Sequence, residues 1–103
     1  MGHAARQKPQ RLSEKLLQIR LALNLSQTDM LRKLGLDEDY FYTIISKNEL
    51  GTREPTLLEL LGYARLANVY VEVLIDDALN LPDEIPSLKK HEGIKARRLL
   101  PHK

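Results

Sequence analysis

The chain has 103 residues, 43% of them hydrophobic, with no cysteine and a net charge of +2. These values fit one small folded domain with tails, and exclude a wholly disordered chain, a disulfide framework and a thiolate zinc site. No apolar run reaches the length of a membrane span and no signal peptide is visible, so a cytoplasmic protein without a membrane partner is expected.

Charge divides the chain into three. Residues 1–11 hold Arg6, Lys8 and Arg11 and no acid, and read as a flexible basic arm. Residues 12–81 hold seven basic and eleven acidic side chains, and carry the helical patterns. Residues 82–103 hold six basic and three acidic side chains, with Pro and His interspersed, and read as a flexible basic tail. The folded part is thus net acidic and its flanks are basic. Basic flanks are either idle solvated tails or arms that meet nucleic acid phosphates.

A first helix is predicted from Ser13 to about Leu23. Leu12, Leu16, Ile19 and Leu23 recur at spacings of four, three and four, which places them on one face. Asn24 ends it, because asparagine tolerates the left-handed conformation. Ser26 then caps a second helix, Gln27 to Leu34, with Asp29 at the capping-box position and Leu25 and Met30 as a staple. Met30, Leu31 and Leu34 form its apolar face, and Gly35 stands where a helix end wants positive φ. The stretch Leu36–Tyr42 sets three acids before three aromatics. Its acids are placed to cap the next helix, and at least one of Tyr40, Phe41 and Tyr42 is expected in the core. A third helix follows, anchored by Ile44 or Ile45 and closed by Glu49 and Gly51.

Thr56 opens a fourth helix with a second capping box to Glu59. Its apolar faces use Leu57, Leu60, Leu61, Ala64, Leu66 and Ala67, and Asn68 ends it. A fifth helix is predicted from Val71 to Leu79, although the β-branched run Val69–Val73 also suits a short strand. No nucleophile–base pair and no phosphate-cradling glycine loop is visible. His3, His91 and His102 lie in the tails without metal-ligand spacing. No enzyme, metal or cofactor is therefore expected.

One ordered set of residues carries a resemblance. Ser26-Gln27, Gly35, and Ile45-Ser46-x-x-Glu49-x-Gly51-x-x-x-Pro55, with Arg20 seven residues before Gln27, resemble the lambda-repressor-like (Cro/xenobiotic-response-element, XRE) helix-turn-helix family. The likeness runs from about Leu12 to Ile75. One departure is plain: Ile45 lies ten residues after Gly35, where the family usually spaces them by six. The resemblance implies an all-α, compact five-helix domain with the third helix entering the major groove. It implies a structural ion pair between Arg20 and Glu49. It implies DNA contacts from Gln27, Tyr42, Thr43, Ser46, Lys47, Thr52 and Arg53, the last two meeting phosphate. The corresponding function is a sequence-specific transcriptional regulator, repressor- or antitoxin-like, acting as a homodimer on double-stranded DNA. The alternative is a protein-interaction module on the same fold, with residues 36–42 as its contact surface for a toxin or other protein.

Overall fold

Two guanidinium groups, of Arg11 and Arg20, and the buried Lys15 amine hold distant segments together. The computed structural model describes residues 7–95. Among them lie α1 (Leu12–Ala22), α2 (Gln27–Lys33), α3 (Thr43–Leu50), α4 (Leu57–Ala67) and the short α5 (Glu72–Ile75). A two-residue strand β1 (Leu79–Asn80) pairs antiparallel with β2 (Ile94–Lys95).

The helix boundaries follow the local chemistry. Ser26 Oγ accepts from Asp29 N–H at 3.0 Å, and Thr56 Oγ1 accepts from Glu59 N–H at 3.2 Å, so both caps form. Asn24 and Asn68 take φ of 57° and 56°, and Gly35 and Gly51 take 73° and 78°. Each of these turns the chain out of a helix by the left-handed conformation expected of it. The core gathers Leu12, Leu16 and Ile19 from α1, Met30 and Leu31 from α2, Ile45 from α3, and Leu60, Tyr63, Ala64 and Ala67 from α4. Val69, Val73, Leu74 and Leu81 complete it.

Three expectations are corrected here. The fold is mostly helical but not all-α, because β1 and β2 form a small sheet. The fifth helix stops at Ile75 rather than Leu79. Asp76 Oδ1 accepts from Ala78 N–H at 2.9 Å, and this local turn competes with a further helical turn. Leu57 and Ile75, expected on apolar faces, are exposed.

A fourth correction concerns the tail. Residues 82–95 are packed as a strap across the ends of α4 and α5. Ser87 N–H donates to Ala67 O, Asn68 Nδ2 donates to Ser87 O, and Tyr70 N–H donates to His91 O. Gly93 lies against Val73 with φ of 88°, a place where a Cβ would crowd both Val73 and the Asn80 carbonyl. Residues 1–6 and 96–103 of the expected arm and tail lie outside the described residues.

The N-terminal end of α1 is also tied down. Arg11, expected in a flexible arm, donates from Nη1 to Asp77 O at 2.9 Å and from Nη2 to Asn80 Oδ1 at 2.6 Å. In return the Asp77 carboxylate accepts from the N–H groups of Gln10 and Arg11. Asp77 thereby anchors, from sixty-odd residues away, the backbone that enters α1, just outside the donors that a local N-cap side chain takes. These backbone donors, Gln10 first, hold the Asp77 carboxyl below its ordinary range despite some desolvation.

At the centre, Tyr63 is fully buried and its hydroxyl has no hydrogen-bond partner among the described residues. A buried unpaired hydroxyl costs about 1–3 kcal/mol. Tyr63→Phe is therefore expected to leave stability unchanged or raise it by about 1 kcal/mol. Burial, and then the nearby Glu49 carboxylate, push the phenol above its ordinary range. An unfolded tyrosine ionises near pH 10, before the folded one. The unfolded state then holds fewer protons, so stability falls as pH rises above about 10. Urea titrations of both proteins at neutral and alkaline pH check this, since the phenylalanine variant lacks that component.

Candidate nucleic-acid interface

The α3 sequence TIISKNEL buries one side and leaves the other open. Ile45 and Asn48 are buried, Ile44, Ser46 and Glu49 are half-buried, and Thr43, Lys47 and Leu50 are exposed. Thr43 and Lys47, four residues apart, share the outward face as the helical period requires. Tyr42 stands at the helix entrance and is 51% exposed.

The inner side is held by charge. Arg20 grips Glu49 with two hydrogen bonds, Nε to Oε2 at 2.6 Å and Nη2 to Oε1 at 3.0 Å. Its remaining nitrogen donates to Leu25 O at 2.9 Å. The expected pair is therefore present, in the two-pronged geometry that suits a guanidinium and a carboxylate. The hydrogen bond to Glu49 raises the Arg20 pKa further above its ordinary value, against the desolvation that lowers it.

Two of the expected DNA contacts, Gln27 and Arg53, are turned inward instead. Gln27 Nε2 donates to Glu49 Oε1 at 3.3 Å, joining the Arg20 pair. Arg53 donates from Nη1 to Glu59 Oε1 at 2.7 Å and to Asn48 Oδ1 at 2.9 Å, and from Nη2 to Glu59 Oε2 at 2.9 Å. The reason is the glutamate at 59. It is 4% exposed, and a buried carboxylate requires a cation beside it. Burial pushes the Glu59 carboxyl up, but the Arg53 guanidinium outweighs that and holds it below the usual range. Thr52 stays exposed, its hydroxyl donating to Lys47 O at 3.4 Å. Of the expected contact residues, Tyr42, Thr43, Lys47 and Thr52 remain outward, and Ser46 is half-covered.

The stretch 36–42 forms consecutive turns. Asp39 and Tyr40 N–H groups both donate to Leu36 O. Its acids do not cap α3: the N-cap is Tyr42, without a side-chain cap bond. Nor does an aromatic reach the core. Tyr40, Phe41 and Tyr42 are 43%, 81% and 51% exposed. Leu36 takes the inward position, packing against the core, and the three rings follow it out. The Arg53 guanidinium lies 5.9 Å from the Tyr40 ring centre, which ties this stretch to the loop after α3.

Sequence reasoning missed Asn48 and Glu59. Glu59 was already accounted for by the capping box, and its backbone N–H does meet Thr56 while its side chain turns inward. The available signal was Arg53 six residues before it, across the proline that precedes the Thr56 cap. Among the described residues no cluster of His, Cys, Asp or Glu could hold a metal ion, and no helix is long and apolar enough to cross a membrane. Comparison with protein-family models, curated proteins and solved structures gives no match.

Proposed function

We propose that the protein is a sequence-specific DNA-binding regulator that reads its operator with α3. The observation that carries this reading is the Arg20–Glu49 contact, which holds the helix with Thr43 and Lys47 outward. An α-helix fits the major groove, and a lysine can donate to guanine O6 or N7 while a threonine meets either a base edge or a thymine methyl. Cytoplasmic repression by occupancy, as a homodimer on a two-fold site, follows from the same reading. So does the absence of a catalytic role.

Electrostatics shape how it binds. The helix carries a single cation, Lys47, and Asp37, Glu38 and Asp39 precede it. Those carboxylates are repelled by phosphate, so the duplex meets the middle of α3 and Thr52 rather than the turns at its entrance. A second reading, a protein-interaction module built on residues 36–42, is favoured by one observation: three adjacent aromatic side chains stand in solvent beside three acids. A toxin or another protein with a basic, apolar surface suits that stretch.

Lys47→Ala is expected to relax preference at one base pair per half-site, at about 1–3 kcal/mol for a good contact. Binding selection from randomised duplexes, run on wild type and variant, checks it. A wild type that enriches no sequence moves the assignment to the protein-interaction reading. A variant with the wild-type preference places the reading face toward Tyr40 and Tyr42.

A further inference from the structure

The polar cluster around Glu59 buries two of its three side chains, and every hydrogen bond in it has a direction. Asn48 is 1% exposed and sits on the inner side of α3. Its carboxamide is fixed at both ends: the oxygen accepts from Arg53 at 2.9 Å, and Nδ2 donates to Glu59 Oε1 at 3.3 Å. Glu59 is anchored in α4, and Arg53 spans the loop between the two helices. The three side chains thus close a ring that joins α3, its following loop and α4.

We propose that Asn48, Arg53 and Glu59 are positioning residues that set the roll of α3, and that discrimination between DNA sequences depends on them more than affinity does. The inference rests on the DNA-reading function above. Apolar contact is non-directional, so the Ile45 knob alone lets a helix roll with little loss. Forked, charge-assisted hydrogen bonds do not. Asn48 is held by Arg53 and Glu59 while the next residue, Glu49, is held by Arg20 from α1. Neighbouring helical residues point about 100° apart. Two directional anchors at that angle, from different elements, fix rotation about the helix axis.

The reading face is opposite. For a helix of about 5–6 Å radius, a roll of about 20° moves a side-chain tip by about 2 Å. Base-edge hydrogen bonds are lost over that distance, because their geometry tolerates only a few tenths of an ångström. Phosphate contacts from flexible lysines survive it. A buried ion pair contributes less net stability than its Coulomb attraction suggests, and its best-attested use is to select one arrangement of the elements it joins.

The test uses the full chain and the duplex that wild type enriches from a random pool, beside a scrambled duplex of the same composition. Three variants are compared: Glu59→Gln, which removes the charge; Arg53→Lys, which keeps the charge and loses the fork; and Asn48→Leu with Arg53→Met and Glu59→Leu, which refills the site with apolar volume and strands no charge. Circular dichroism confirms which are folded, and the triple variant serves if either single one is not. The expected result is a loss of roughly tenfold or more in the ratio of the two affinities, the scale of one well-placed base contact. Affinity for the scrambled duplex and its salt slope stay as in wild type. A purely structural role weakens both duplexes together, and that outcome, or an unchanged ratio in a folded variant, overturns the inference alone. A wild type that enriches no duplex overturns the DNA reading and the inference with it.

Discussion

Glu49→Ala is expected to lower the free energy of unfolding by about 3–5 kcal/mol, the usual effect of removing one partner of a buried ion pair. The Arg20 and Glu49 side chains are only 14% and 6% exposed. Truncation strands the guanidinium in a site with little water and also removes the acceptor used by Gln27. Small domains have about 5–15 kcal/mol in total, so the variant sits near the edge of folding. Replacing both partners by apolar residues, Arg20→Met with Glu49→Leu, is expected to cost much less, because no charge is left behind. Urea unfolding of wild type, single and double variants measures both. A single-variant loss below about 1 kcal/mol, the range of exposed pairs, would show that the pair is solvated.

Lys15→Ala should have an effect of similar size for a different reason. Lys15 lies in α1 with no exposed surface, and its Nζ donates to Val73 O at 2.8 Å and Asp76 O at 2.9 Å. It closes the carbonyl end of α5, where helix ends leave acceptors unpaired. Each carbonyl left without a partner costs about 1–3 kcal/mol. Loss of the buried stem adds to that, giving about 3–5 kcal/mol in total. Lys15→Met keeps the volume and removes only the bonds, so the difference between the two variants isolates packing. Burial, and then Arg11, hold the Lys15 pKa below its ordinary value. An unfolded lysine keeps its proton up to about pH 10.4, while the folded one releases it earlier. Between those two points the unfolded state holds more protons, so this group's contribution rises with pH. The methionine variant lacks that rise. Equal pH dependence in the two proteins would show that Lys15 titrates alike folded and unfolded.

What the sequence made legible was local. Caps at Ser26 and Thr56, and left-handed exits at Asn24, Gly35, Gly51 and Asn68, depend on residues within one turn of each other. The Arg20–Glu49 pair was reached through a resemblance rather than through spacing. What stayed hidden was long-range or competitive. Nothing near Arg11 announces Asp77 as its partner, and nothing near Val69 announces His91. Asp76 ends α5 by a side-chain turn that outweighs the apolar period through Leu79. In the candidate site, Thr43 and Lys47 were reached through the resemblance aligned on Ile45, and their spacing of four residues puts them on one face. Gln27 and Arg53 were misplaced because a side chain's choice between solvent and a buried carboxylate depends on where Glu49 and Glu59 end up.

The segment around β1 has a consequence for chain topology. Asp77 receives the N–H groups of Gln10 and Arg11, while Leu79 is the register partner of Lys95. Asp77 and Leu79 are two residues apart, about 7 Å along an extended chain. The described chain therefore enters and leaves the fold beside the same short stretch. Joining residues 10 and 95 requires only a brief linker, and loop closure over so short a span carries a small entropic cost. A circular order of the same elements, opened within the exposed turn 36–42, thus keeps every contact described outside that turn.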